Sequence, residues 1–140
     1  MADFNQVLTP GDYQNGTVNI VVEIPQGSML KIEWDRSRAA FMLDRVEPAI
    51  FAKPVSYGFI PQTLDEDGDE LDILLVCGEP VPTGVWMEAK IIGIVRQVLL
   101  GRATGQSKPH DQCDHGGVAS EILHAARCRC RTRRSAHRTC

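Results

Sequence analysis

The sequence predicts a mainly β fold, built as a small antiparallel barrel. Three observations carry this. Segments rich in β-branched residues alternate apolar and polar side chains with a period of two. Turn residues separate them at short intervals. Before residue 96, no segment shows the apolar repeat of a convincing helix. An open sheet of such strands would leave apolar edges exposed, and closing into a barrel removes them.

The elements follow in order. Residues 17–24, TVNIVVEI, alternate and read as a strand. Pro25-Gln26-Gly27-Ser28 is turn chemistry, and residues 30–34, LKIEW, read as the returning arm of a hairpin. Ala40 to Leu43 is a short third strand. Pro54 and Pro61 bracket an irregular or edge segment, residues 54–60, PVSYGFI. Residues 65–70, DEDGDE, form a loop, and residues 72–77, DILLVC, a buried strand that begins on a carboxylate. After Pro80 and Pro82, residues 85–95, VWMEAKIIGIV, form a strand bent at Gly93. Val118 to Arg127, VASEILHAAR, reads as a short amphipathic helix.

Composition divides the chain near Arg96. Residues 1–96 carry 15 acidic and 7 basic side chains, and residues 97–140 carry 3 and 8. All four histidines lie in the second part, and all eight aromatic residues lie in the first. We therefore read residues 1–96 as the barrel portion and 97–140 as a basic Cys/His/Arg-rich tail. The tail is expected to be disordered, because it offers little apolar surface to offset ordering. No apolar stretch reaches the length of a membrane-spanning helix. Met1 to Pro10 lacks the charge and apolar core of a signal peptide. Five cysteines, four of them in the last 28 residues, suit a reducing cytosol better than a disulfide framework.

Asp67, Asp69 and Asp72 are the first candidates for chemistry. Gly68 permits a tight turn, so Asp67 and Asp69 can face one space with Asp72 at the mouth of the next strand. Carboxylates so crowded repel one another unless hard cations sit between them, and Mg²⁺ favours such oxygen donors. A solvated acidic turn is the plain alternative. Lys31 and Glu33, two apart on a strand, share a face. They form either a cross-strand ion pair or, at a barrel mouth, a phosphate contact. Glu23 on the neighbouring strand can join that face. Arg45 offers a planar donor fork to phosphate oxygens, and Tyr57 offers a phenol. Together these residues describe a site in which cations and metals hold a polyanion while a metal-activated water attacks phosphorus.

VVEIP at 21–25, LKIE at 30–33, LDR at 43–45, SYGFIPQT at 56–63 and DEDGDELDILL at 65–75 closely resemble the soluble family I inorganic pyrophosphatases. The most specific motif is D-G-D-x-x-D, here Asp67 to Asp72, and the resemblance runs from about residue 17 to Arg96. It implies a five-stranded, OB-like barrel and hydrolysis of pyrophosphate to two phosphates in the cytoplasm, in a homo-oligomer. It implies Mg²⁺ held by Asp67, Asp72 and Asp69. Asp69 and Tyr57 become catalytic residues, Asp69 by orienting or deprotonating the attacking water. Lys31, Arg45 and Tyr57 become substrate contacts, with Glu23 and Glu33 in support. Lys53 stands where the family often has a tyrosine near the phosphate, so a neutral donor is exchanged for a positive charge.

Beyond Arg96 the resemblance stops. Leu99 and Leu100 stand where the family carries acids, so the barrel is expected to be incomplete. The tail has the composition of an out-of-frame reading of a GC-rich gene. Two other readings of the tail are zinc ligation by Cys113, His115, Cys128 and Cys130, whose spacing is unusual for zinc, and weak electrostatic binding of nucleic acid by its arginines. The function is therefore either a Mg²⁺-dependent inorganic pyrophosphatase or a truncated, non-catalytic homologue that retains metal or polyanion binding.

Overall fold

The computed structural model describes residues 3–65, 68–99 and 119–128. It contains a one-turn helix α1 (Phe4–Val7) and seven strands: β1 (Thr17–Ile24), β2 (Leu30–Asp35), β3 (Ala40–Val46), β4 (Ser56–Phe59), β5 (Asp72–Val76), β6 (Trp86–Leu99) and β7 (Ala119–Cys128). Five strands close into a barrel in the order β1-β4-β5-β7-β6, while β2 and β3 form a separate two-stranded sheet. The barrel pairs are antiparallel except β5 with β7, which run parallel.

Alternation in β1 explains the core. Val18, Ile20 and Val22 point inward and pack with Ile60, Ile73, Leu75, Ala89 and Ala126. The intervening Val21 points outward, yet it is also fully buried, because Phe4, Trp34 and Phe59 cover it. That second cluster packs the β2–β3 hairpin against the barrel. The Trp34 ring sits edge-on to Phe4 and Phe41 at 5.0 and 5.1 Å and stacks on Phe59 at 5.9 Å. Such aromatic pairs add about 0.5–1.5 kcal/mol each beyond their buried area.

Four expectations change. β2 does not pair with β1. It pairs with β3 from Leu30↔Val46 to Asp35↔Ala40, because both edges of β1 are already taken by β4 and β6. The segment bracketed by Pro54 and Pro61 is not an edge, since β4 lies between β1 and β5. Residues 119–128 are a strand rather than a helix. VASEILHAAR spaces its polar residues Ser120, Glu121, His124 and Arg127 as a helix would, but the open edges of β5 and β6 supply a ladder that overrides this local pattern. The barrel is therefore closed rather than incomplete. The first segment also holds one helix, α1, which Asp3 caps by accepting a hydrogen bond from the Asn5 N–H at 3.0 Å. The bend expected at Gly93 is present as a register shift between Ile91 and Gly93.

Candidate active site

The hairpin and the barrel meet along a line of charged side chains. Lys31 on β2 lies directly opposite Arg45 on β3. Two cations so placed would repel, and carboxylates alternate with them. Glu33 Oε1 lies 2.5 Å from Lys31 Nζ, which is also 3.5 Å from Asp44 Oδ2. Asp44 Oδ2 accepts from Arg45 Nη1 at 2.5 Å, and Arg45 Nη2 donates to Glu47 Oε1 at 3.2 Å. Lys53 Nζ then donates to Glu47 Oε2 at 2.8 Å and stands 5.4 Å from the centre of the Tyr57 ring. The string Glu33–Lys31–Asp44–Arg45–Glu47–Lys53 thus ends over Tyr57. Burial is the largest single influence on the Lys31 ammonium and pulls it down, but the hydrogen bond and the charge of Glu33, with Asp44, together hold it above its ordinary value. Glu47 is held below the usual carboxylate range, chiefly by Lys53.

At the other end of the string stands a group of carboxylates. Glu23 on β1 is mostly buried and accepts the Trp34 N–H at 2.7 Å, which ties the hairpin to the barrel. Burial pushes its carboxyl up to about 8 from an ordinary 4.5. The Trp34 amide opposes that rise, and the negative charges of Asp72, Glu33 and Glu70 add to it. Glu70 is buried and accepts from Asn5 Nδ2 at 2.5 Å, with Arg36 Nε 3.4 Å away. Asn5 also accepts the Gln62 N–H at 2.7 Å, so α1 holds the far end of the acidic loop and the turn that leads into it.

Within that loop, Gly68 adopts a φ of +94°, which favours glycine. The Asp65 N–H donates to the Asp69 carbonyl at 2.7 Å and the Gly68 N–H to the Asp65 carbonyl at 3.1 Å. Asp72 opens β5 opposite Phe59, and Tyr57 lies opposite Leu74 two positions away on β4. The structure therefore brings Lys31, Glu33, Arg45 and Tyr57 onto one string, and Glu23 and Asp72 into one electrostatic group. Asp67 lies outside the described residues, as do Cys113, His115 and Cys130. A hollow of about 340 Å³ beside the string is lined by Arg45, Val46, Glu47, Pro48 and Phe51 and by none of the acidic-loop carboxylates.

Hard oxygen donors in mutual repulsion fit a hard divalent cation by chemistry. Among the described residues, no three acidic, His or Cys side chains converge closely enough to hold one. Sequence reasoning missed Glu47 and Glu70. Glu70 falls on an unspecified position of the acidic motif, and Glu47 announces itself only by following Arg45 at a spacing of two. The buried set of Glu70, Asn5 and Gln62 depends on residues far apart in the chain.

A family model for inorganic pyrophosphatase matches residues 20–99, the stretch that holds the string and the acidic loop. The chain belongs to the inorganic pyrophosphatase family. The inorganic pyrophosphatase of Haemophilus influenzae is 68% identical over 124 residues, covering 87% of this chain and 70% of that relative. That of Neisseria meningitidis serogroup B is 68% identical over 98 residues, or 70% of this chain and 55% of the relative. The crystal structure of an inorganic pyrophosphatase from Neisseria gonorrhoeae superposes with a TM-score of 0.70 at 55% identity, over 89% of this chain and 63% of that one. The Thermus thermophilus pyrophosphatase gives 0.65 at 32% identity, over 89% and 62%. This family member thus spans between 55% and 70% of the length of these relatives. The OB-like barrel expected of the family is the barrel observed. No helix among the described residues is long and apolar enough to cross a membrane.

Proposed function

We propose that this chain hydrolyses pyrophosphate to two phosphates. The observation that carries the reading is the junction of three cations, Lys31, Arg45 and Lys53, with the carboxylate group of Glu23, Asp72 and Glu70 through the shared residue Glu33. Lys31 and Arg45 hold the phosphates of the substrate, exchanging their carboxylate partners for phosphate oxygens. Tyr57 donates its phenol to a phosphate oxygen. Asp69 orients the attacking water and accepts its proton. Asp67, Asp69 and Asp72 are the residues that would hold Mg²⁺, with Glu23 and Glu33 in support. Bound there, the metal would neutralise phosphate charge and make the water more acidic.

The chain works as a homo-oligomer in this reading. Exposed Leu43, Val46, Ile50 and Phe51 on the hairpin and the turn after it supply apolar surface for an interface. A cytoplasmic location is supported by the free thiol of Cys77.

Phosphate release from pyrophosphate, measured on the purified chain with Mg²⁺, tests the proposal. Asp69→Asn is expected to lower kcat on the order of 100-fold or more while the fold is retained. A folded wild-type chain that releases no phosphate, or an Asp69→Asn variant as active as wild type, overturns it.

A further inference from the structure

Lys53 and Glu47 have no assigned role, yet they terminate the charge string over Tyr57. Their backbones are anchored on one turn. The Gly27 N–H donates to the Lys53 carbonyl at 2.8 Å and the Lys53 N–H to the Ser28 carbonyl at 3.1 Å. The Glu47 N–H donates to the Met29 carbonyl at 2.8 Å. Three consecutive residues, Gly27 to Met29, therefore set the separation of positions 47 and 53, which the 3₁₀ turn Ala49–Phe51 spans. Both side chains are largely covered, 12% and 18% exposed, whereas Arg45 is 55% exposed.

An ion pair this covered, with both backbones fixed, loses less side-chain entropy on forming than a surface pair does. The one Glu47 carboxylate takes Lys53 on Oε2 and Arg45 on Oε1, so the position of Lys53 is relayed to the Arg45 guanidinium. The ammonium meanwhile stands over the Tyr57 ring at cation–π range. A neutral side chain at position 53 would leave Glu47 to Arg45 alone, and a carboxylate that binds Arg45 more completely competes with phosphate.

We infer that Lys53 and Glu47 form a brace that positions Arg45 and Tyr57 for phosphate, with Lys53 drawing the Glu47 carboxylate away from Arg45. The two are positioning residues, and the inference rests on the proposal that Arg45 and Tyr57 contact phosphate.

The test compares Lys53→Met, Lys53→Arg and Glu47→Gln with wild type. It measures KM and kcat for pyrophosphate with Mg²⁺, and the affinity for inorganic phosphate by calorimetry. Lys53→Met is expected to raise KM and weaken phosphate binding about tenfold, with a smaller change in kcat, and Lys53→Arg to recover most of the loss. Glu47→Gln, which keeps Lys53 and removes the negative charge of the brace, is expected to change KM in excess of kcat. It serves if Lys53→Met fails to fold. Lys53→Met with wild-type KM and phosphate affinity overturns the inference, as does a loss of thermal stability with neither constant changed. A wild-type chain that binds phosphate without hydrolysing pyrophosphate overturns the proposed function instead, and a tenfold weaker phosphate affinity in Lys53→Met then still supports the brace.

Discussion

At Gly58 the backbone of β1 leaves no room for a side chain on β4, and Gly58→Ala tests that approach. Gly58 lies opposite Val22 in the β1–β4 ladder. A Cβ built there would stand 2.0 Å from the Val21 carbonyl oxygen, 2.9 Å from its carbon and 3.0 Å from the Val22 Cα. All three are backbone atoms, so no rotamer change relieves the clash. The strands must part by more than an ångström, which lengthens the ladder hydrogen bonds on either side. Overpacking of a rigid site costs about 1–3 kcal/mol, and one or two weakened ladder bonds add about 1 kcal/mol each. The expected loss is about 2–5 kcal/mol, a large share of the stability of a domain this size. Urea unfolding followed by tryptophan fluorescence measures it, with Trp34 buried in the second cluster as reporter. Gly78→Ala is the control, because a Cβ there meets nothing within 4 Å. A Gly58→Ala midpoint within about 1 kcal/mol of both wild type and Gly78→Ala would refute the reasoning.

Two further outcomes follow from the site. Glu23 titrates near 8 folded and 4.5 unfolded, so between these values the folded state holds the proton that the unfolded state has lost. Stability in EDTA should therefore fall as pH rises through that window, by roughly 3–5 kcal/mol for a shift of this size. Glu23→Gln should flatten the fall, and a wild-type unfolding free energy constant from pH 5 to 8 would count against the assignment. Asn5→Ala removes the side chain that holds Glu70 and the Gln62 N–H. It leaves a buried carboxylate short of a donor, for a loss of about 1–3 kcal/mol. Equal melting of Asn5→Ala and wild type would show that α1 does not pin the acidic loop.

The positions of most strands were legible in the chain, because period-two alternation is a local property. Residues 17–24 and 30–34 read as strands and are strands. The acidic loop was legible for the same reason. Gly68 between two aspartates, followed by an apolar run, carries its own turn chemistry. Residues 119–128 were not legible. Their local spacing is helical, and the strand is imposed by the open edges of β5 and β6.

What the sequence by itself determined is therefore most of the strands in residues 17–95, with β4 read only as an irregular or edge segment, the turns between them and membership of a family. Tertiary structure decided which strands pair, and with that the site. β2 turned to β3 because β1 had no free edge, and that choice set Lys31 opposite Arg45. It also decided the company each charge keeps. Glu23 is shifted by burial under the hairpin, and Glu47 finds Lys53 six residues away only because one turn of backbone holds both. Pairing and burial depend on contacts between distant segments, and no local pattern encodes them.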